Sequence, residues 1–221
     1  MDCGGGMPVR KIPKNYRSVT GRFSSQKNNR AMAFESTLER DLFLSLEFDD
    51  TVVSYEEQPL TINGEVGGPI RQYTPDCLAQ HVDGMETLYE VKYVADLEKD
   101  AEVLALRFAI AERYAHERGM KFRVVSELDI RGARLENQRF LYSFSSLPKN
   151  LENLRHIILS QLKNPLPLET LLANLAPDRM KQALYIPAIW HLVFVGTLCV
   201  DMSIPVSNKT IIKVNHGTHI S

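Results

Sequence analysis

Cysteine is scarce in this chain. Cys3, Cys77 and Cys199 stand far apart, with no Cys-x-x-Cys pair. That argues against a disulfide framework and a cysteine-rich zinc module, and fits a reducing, cytoplasmic setting. Long apolar runs are missing too. The opening Met-Asp-Cys-Gly-Gly-Gly lacks the apolar stretch of a signal peptide, and Met7 is a candidate natural start. The most apolar stretch, Leu184 to Val200, is shorter than the ~20 residues a membrane span needs. It is also interrupted by Pro187, His191 and Gly196, so it reads as a buried helix followed by a strand. Compositional extremes are absent as well. With 44% hydrophobic and 24% charged residues over 221 positions, wholesale disorder and collagen-like repeats are excluded, and one large or two small domains can each bury a core.

The formal net charge of −1 hides a segregation. Residues 1–30 carry seven Lys/Arg and one Asp; residues 31–100 carry four basic and sixteen acidic residues; residues 101–221 carry fifteen basic and ten acidic. A basic arm before an acidic middle suggests nucleic acid outside and metal inside, although basic tails also serve simply as solvated segments.

Residues 1–30 have little periodicity and read as an extended basic arm, with Arg10, Lys11, Lys14, Arg17 and Arg22 as candidate phosphate contacts. From Ala31 to Glu47 the spacing of Ala31, Leu38, Leu42 and Leu46 predicts a helix, with Glu35 in line with the apolar stripe. Short strands are expected at Val52–Tyr55 and Leu60–Ile62, then a strand over Arg71–Gln80, a turn at Asp83-Gly84 and a strand over Thr87–Val94. Leu97, Ala101, Leu104, Phe108, Ala111 and Ala115 trace a helix between Asp96 and Gly119, and Lys121–Ser126 is the next strand. Strand, long helix, strand implies a right-handed crossover and a parallel pair. This places an α/β module at residues 31–145, a linker near Ser143–Asn150 and a second module at residues 150–221. There, three helices followed by β-like runs give the order of a winged helix-turn-helix.

The chemistry lies in two strands. Alternation puts Leu88, Glu90, Lys92 and Val94 on one face and Tyr89, Val91 and Tyr93 on the other. Two charges on one face of a central strand are costly unless paired or bound to a cation. Asp76 precedes Glu90 by a hairpin, which brings both carboxylates within reach of one ion. Oxygen donors suit Mg²⁺ or Mn²⁺, which polarises a phosphate and acidifies a bound water, while a lysine stabilises the charge that develops. Glu35 completes the set from the helix. Pro75-Asp76 followed by Glu90-x-Lys92 is the signature of the restriction-endonuclease-like fold, a mixed sheet flanked by helices.

Phe34-Glu35-Ser36-x-Leu38-Glu39, Tyr55-x-Glu57-Gln58-Pro59, Tyr73-Thr74-Pro75-Asp76 and Glu90-Val91-Lys92 run in an order that resembles the TnsA family, the endonuclease subunits of certain heteromeric cut-and-paste transposases. The segment Lys121–Arg131 looks like that family's next strand and turn, and the likeness covers about residues 10–145. It implies a DNA endonuclease that cleaves the 5′ ends of the element. A partner transposase, TnsB, would cut and join the 3′ ends, and an ATP-dependent regulator, TnsC, would control both. It also implies Glu35, Asp76 and Glu90 as metal ligands and Lys92 as the catalytic lysine. Two rival readings stand beside it: a stand-alone restriction or repair nuclease, and a non-catalytic DNA-binding or scaffold subunit that keeps the fold alone.

The six histidines form no ligand pair, Trp190 reads as core, and Gln58-Pro59 as a turn. Arg179 and Lys181 open the third helix of the C-terminal module, where a standard helix-turn-helix reads DNA. The module has few other basic residues, and docking of a partner subunit is the favoured reading.

Overall fold

The computed structural model describes residues 19–65 and 68–215. Arg10, Lys11, Lys14, Arg17, His216 and His219 lie outside the described residues.

The described chain opens with a hairpin, not with an arm. Strand β1 (Gly21–Ser25) pairs antiparallel with β2 (Arg30–Phe34). Alternation explains it: Phe23, Met32 and Phe34 point inward and are buried, while the residues between them face out. The hairpin is clamped to helix α1 (Thr37–Glu47) through the buried Glu47. Its carboxylate accepts from Ser25 Oγ at 2.9 Å, from the Gln26 and Lys27 amides at 2.7 and 2.9 Å, and from the Tyr55 hydroxyl at 2.5 Å. Lys27 Nζ donates to the carbonyls of Asp49 and Val52. Removing the acceptor strands four donors in partly dry surroundings. Glu47→Ala is therefore expected to cost about 3 kcal/mol in urea denaturation; a loss below about 0.5 kcal/mol would mean that the hairpin is held by its apolar contacts alone.

Helix α1 begins later than the periodicity predicts. Ser36 is its N-cap, with Oγ accepting from the Glu39 amide at 3.1 Å. Ala31 falls in phase with Leu38, Leu42 and Leu46, but belongs to β2. Glu35 is thus not on the helix: it sits in the turn between β2 and α1 and is exposed.

Next come β3 (Val52–Glu57), β4 (Ile62–Glu65), β5 (Ile70–Tyr73), β6 (Cys77–His81) and β7 (Glu86–Val91). The strand expected over Arg71–Gln80 is broken at Thr74-Pro75-Asp76, since proline cannot donate to a ladder. Its first half pairs with β4 instead, as a separate hairpin. Gly64 lets β4 run against the long helix behind it, where a Cβ would come within 2.6 Å of Ile110 Cγ2. A short helix α2 (Val94–Lys99) ends β7 early, α3 (Ala101–Glu117) crosses over, and β8 (Lys121–Val125) lies parallel to β7. The main sheet has the order β3-β6-β7-β8, antiparallel except for that last pair.

The two faces of this sheet are covered differently. Cys77, Ala79, Tyr89 and Val91 join Leu38, Leu42 and Phe43 of α1 and the hairpin's Phe23 and Met32. Leu88 joins Ile110, Ala111 and Ala115 of α3 with Ile62 and Tyr73. A mixed sheet flanked by helices is consistent with the restriction-endonuclease-like fold.

After α4 (Glu127–Ile130) and α5 (Ala133–Tyr142), the irregular residues 143–150 lead to a second core. It is built by α6 (Leu151–Gln161), β9 (Leu166–Pro167), α7 (Leu168–Leu175), α8 (Arg179–Phe194), β10 (Leu198–Cys199) and β11 (Ile211–Val214). The three short strands form an antiparallel sheet of order β10-β11-β9. Leu184–Val200 is largely the end of α8 and β10, and Trp190 is buried there. Among the described residues no helix is long and apolar enough to cross a membrane, and Cys77 and Cys199 are both unpaired thiols.

Candidate active site

The carboxyl end of β7, an interior strand, meets the N-terminus of α1 at one end of the sheet. A small cleft of about 160 Å³ opens there, lined by Ser36, Glu39, Asp76, Lys92, Tyr93 and Asp96 with Leu38 and Val91. The expected alternation holds. Tyr89 and Val91 face α1, and Leu88 faces α3. Glu90 and Lys92 meet on one side, with Lys92 Nζ 2.7 Å from Glu90 Oε1. Glu90 is 4% exposed, and its second oxygen accepts from the Tyr73 hydroxyl at 2.7 Å. Burial, and then Glu90, push the Tyr73 phenol far up, so it stays a donor.

Asp76 occupies the break that Pro75 makes between β5 and β6. Its amide donates to Tyr89 O at 3.0 Å and its carbonyl accepts from the Gln58 amide at 3.0 Å. Its Oδ2 accepts from the Val91 amide at 2.8 Å, fixing the carboxylate against the end of β7. Part of Asp76 reaches the cleft, but protein crowds it elsewhere. That burial, and then the charge of Glu90, push its carboxyl up to about 8, against the backbone bond and Lys92. For Lys92, burial favours loss of the proton, but Glu90, then Asp76 and Glu39, hold the ammonium above the ordinary lysine value. Gln58, with φ 43° at the end of β3, serves the turn that this carbonyl bond closes.

The helix-borne carboxylate in this cleft is Glu39, not Glu35. Glu39 is buried in the first turn of α1, and its Oε2 accepts from the Glu35 amide at 2.9 Å. The positive end of the helix favours a carboxylate there. Ser36-x-x-Glu39 is a capping-box pattern, and that signal places the helix start nearly two turns later than the leucine spacing does.

Among the described residues no three His, Cys, Asp or Glu side chains stand close enough to hold a metal together. Glu90 is turned to Lys92 and Tyr73. The donor set nonetheless fits Mg²⁺ or Mn²⁺. These ions take hard oxygen ligands, and Mg²⁺ is usually held by one or two carboxylates, with water and substrate phosphate supplying the rest. Asp76 and Glu39 both line the cleft, and among the described residues Asp76 Oδ1 carries no hydrogen bond.

Of the remaining sequence candidates, Arg22 is exposed on β1, away from the cleft lining. No curated protein matches the chain. Residues 49–127, from the turn before β3 to the start of α4, match the family model described as TnsA-like endonuclease N terminal. That span contains Asp76, Glu90 and Lys92 but stops short of Glu39, and its match to the family that the motif order resembles supports a TnsA-family endonuclease.

Proposed function

We propose that this chain is a divalent-metal-dependent DNA endonuclease subunit of a cut-and-paste transposase, cleaving the 5′ ends of the element by phosphodiester hydrolysis. A TnsB-type transposase and a TnsC-type regulator are its proposed partners. The observation that carries this reading is the Glu90–Lys92 pair at 2.7 Å, with Lys92 lining one cleft together with Asp76 and Glu39.

Each side chain has a task in this reading. Asp76 and Glu39 are the proposed metal ligands, with Glu90 able to join once its lysine is drawn to substrate. The ion would polarise the scissile phosphate and acidify a water. Lys92 keeps its proton and presents an ammonium to the phosphate as negative charge builds on it. Glu90 sets the position of Lys92, and the Tyr73 hydroxyl sets Glu90.

We read the C-terminal helices and three-stranded sheet as a winged-helix-like module, a reading supported by their order of helix, strand, two helices and two strands. Its third helix, α8, exposes Met180 and Leu184 beside Arg179 and Lys181. A face that mixes apolar and cationic side chains favours a protein partner over the DNA groove.

Strand cleavage of duplex DNA bearing element ends, with the partner subunits present, tests the reading. Mg²⁺ or Mn²⁺ is expected to support cutting and a chelator to abolish it. Cleavage that persists in chelator contradicts the metal-dependent reading, and efficient cutting of arbitrary duplex without partners favours a stand-alone nuclease.

A further inference from the structure

A second cleft, of about 470 Å³, lies between β1, α1 and α5. Its lining is Arg22, Phe23, Ser24, Arg40, Leu44, Arg139 and Tyr142, so every charged group on its wall is a guanidinium. This is a local reversal, because residues 31–100 are strongly acidic.

The arginines are organised by one buried carboxylate. Asp41 is fully buried; its Oδ1 accepts from Arg40 Nη2 at 3.0 Å and Arg139 Nη2 at 2.7 Å, and its Oδ2 from Arg131 Nε at 2.9 Å. Arg131 Nη2 then donates to Thr37 Oγ1 at 3.1 Å and to the Tyr93 hydroxyl at 3.2 Å. Tyr93 lines the cleft that holds Asp76 and Lys92. A row of guanidiniums thus runs from the second cleft to the edge of the first.

The charges in this row do not cancel. Asp41 meets three arginines, and among the described residues only Arg139 has a second carboxylate, the largely exposed Glu136 at 2.6 Å. Among the described residues no carboxylate pairs with Arg22. Arg40, Arg131 and Arg139 each keep roughly a third or more of the side chain in solvent. Packed guanidiniums with donors left over suit phosphate oxygens.

We propose that the cleft of Arg22, Arg40 and Arg139 binds the phosphodiester backbone of duplex DNA, and that Arg131 carries the same strand toward the catalytic cleft. The site rests on the endonuclease reading and adds to it where the substrate lies. Arg40, next to Glu39 on α1, ties the position of the bound strand to that of a proposed metal ligand.

The test is the salt dependence of DNA binding by the full chain, read by fluorescence anisotropy with a short duplex in chelator, so that no cutting occurs. Arg22→Gln is the clean variant, because it leaves Asp41 with all its partners and its melting temperature should match the parent. It is expected to bind about threefold more weakly and to flatten the slope of log K against log salt by about 0.9, the loss of one phosphate contact. Arg22→Gln with Arg40→Gln should flatten it by about 1.8. Unchanged slopes in both variants overturn the site, as does a parent chain with no measurable binding at low salt. Weakened binding of an acidic peptide with DNA binding intact also overturns it, and marks the cleft as a protein-docking site. Cleavage by Asp76→Asn separates the two claims. If Asp76→Asn is inactive while both arginine variants bind with unchanged slopes, only this site fails. If Asp76→Asn cuts like the parent, the endonuclease reading fails whatever the slopes show.

Discussion

Asp76→Asn is expected to abolish strand cleavage while making the metal-free protein more stable at alkaline pH. The loss of cutting should reach a thousandfold or so, because the variant removes an anionic ligand of the ion that the chemistry depends on. The stability gain follows from the same carboxylate. Its pKa is raised in the folded state to about 8, by burial and then by Glu90, from an ordinary value of 3.8. The folded protein therefore binds this proton more tightly than the unfolded chain. That contribution is complete below the unfolded pKa, fades as pH rises, and is gone once pH passes the folded value. An asparagine keeps the hydrogen bond from the Val91 amide through its own oxygen, and carries no charge. Its advantage over the parent should thus grow from acid pH to pH 8 and then level off. The ideal slope of about 1.4 kcal/mol per pH unit is reduced because one side of Asp76 reaches solvent, leaving a gain on the order of 2 kcal/mol. Urea denaturation in chelator, at about pH 5.5 and about pH 8.5, measures it. A difference between parent and variant that does not change with pH contradicts a carboxyl group whose proton is favoured by burial and Glu90.

The second large effect separates two neighbouring glutamates. Glu39→Gln is expected to lower cleavage about a hundredfold or more, and Glu35→Gln to change it less than about threefold. Glu39 is buried and lines the cleft, whereas Glu35 is exposed and touches Glu39 through its backbone amide. Glutamine at position 39 can still accept from that amide, so α1 should start where it does now. Rates from single-turnover cleavage, with melting curves to confirm folding, decide between the two. Full activity in Glu39→Gln alongside an inactive Glu35→Gln would restore the assignment that the leucine spacing suggests.

The contrast between these residues shows what the sequence makes legible. Glu90 and Lys92 could be placed together because a two-residue period is rigid: once β7 is central, with Tyr89 and Val91 buried on one face, the charges must share the other. The parallel β7–β8 pair follows as directly from the long crossover helix. The start of α1 does not, because four small and apolar residues, Ala31 to Phe34, satisfy both periods at once. They form a strand because Phe23 across the hairpin supplies a partner for Met32 and Phe34, a contact that only tertiary structure reveals. The basic residues around them disguise this hairpin as a solvated arm. Lys27 is basic for another reason, since it caps the carbonyls of Asp49 and Val52. Asp41 was equally hidden. Its role depends on Arg131 and Arg139, some ninety residues away in sequence, and no local pattern brings those together.

The proposed hydrolysis depends on a carboxylate cleft beside Lys92 that takes up a divalent cation. Titration of Mn²⁺ into the full chain, followed by electron paramagnetic resonance of the free ion, tests that most directly. The parent should bind Mn²⁺, and Asp76→Asn should bind it at least about tenfold more weakly. Equal binding by the two proteins, or none by the parent even with DNA present, would contradict it.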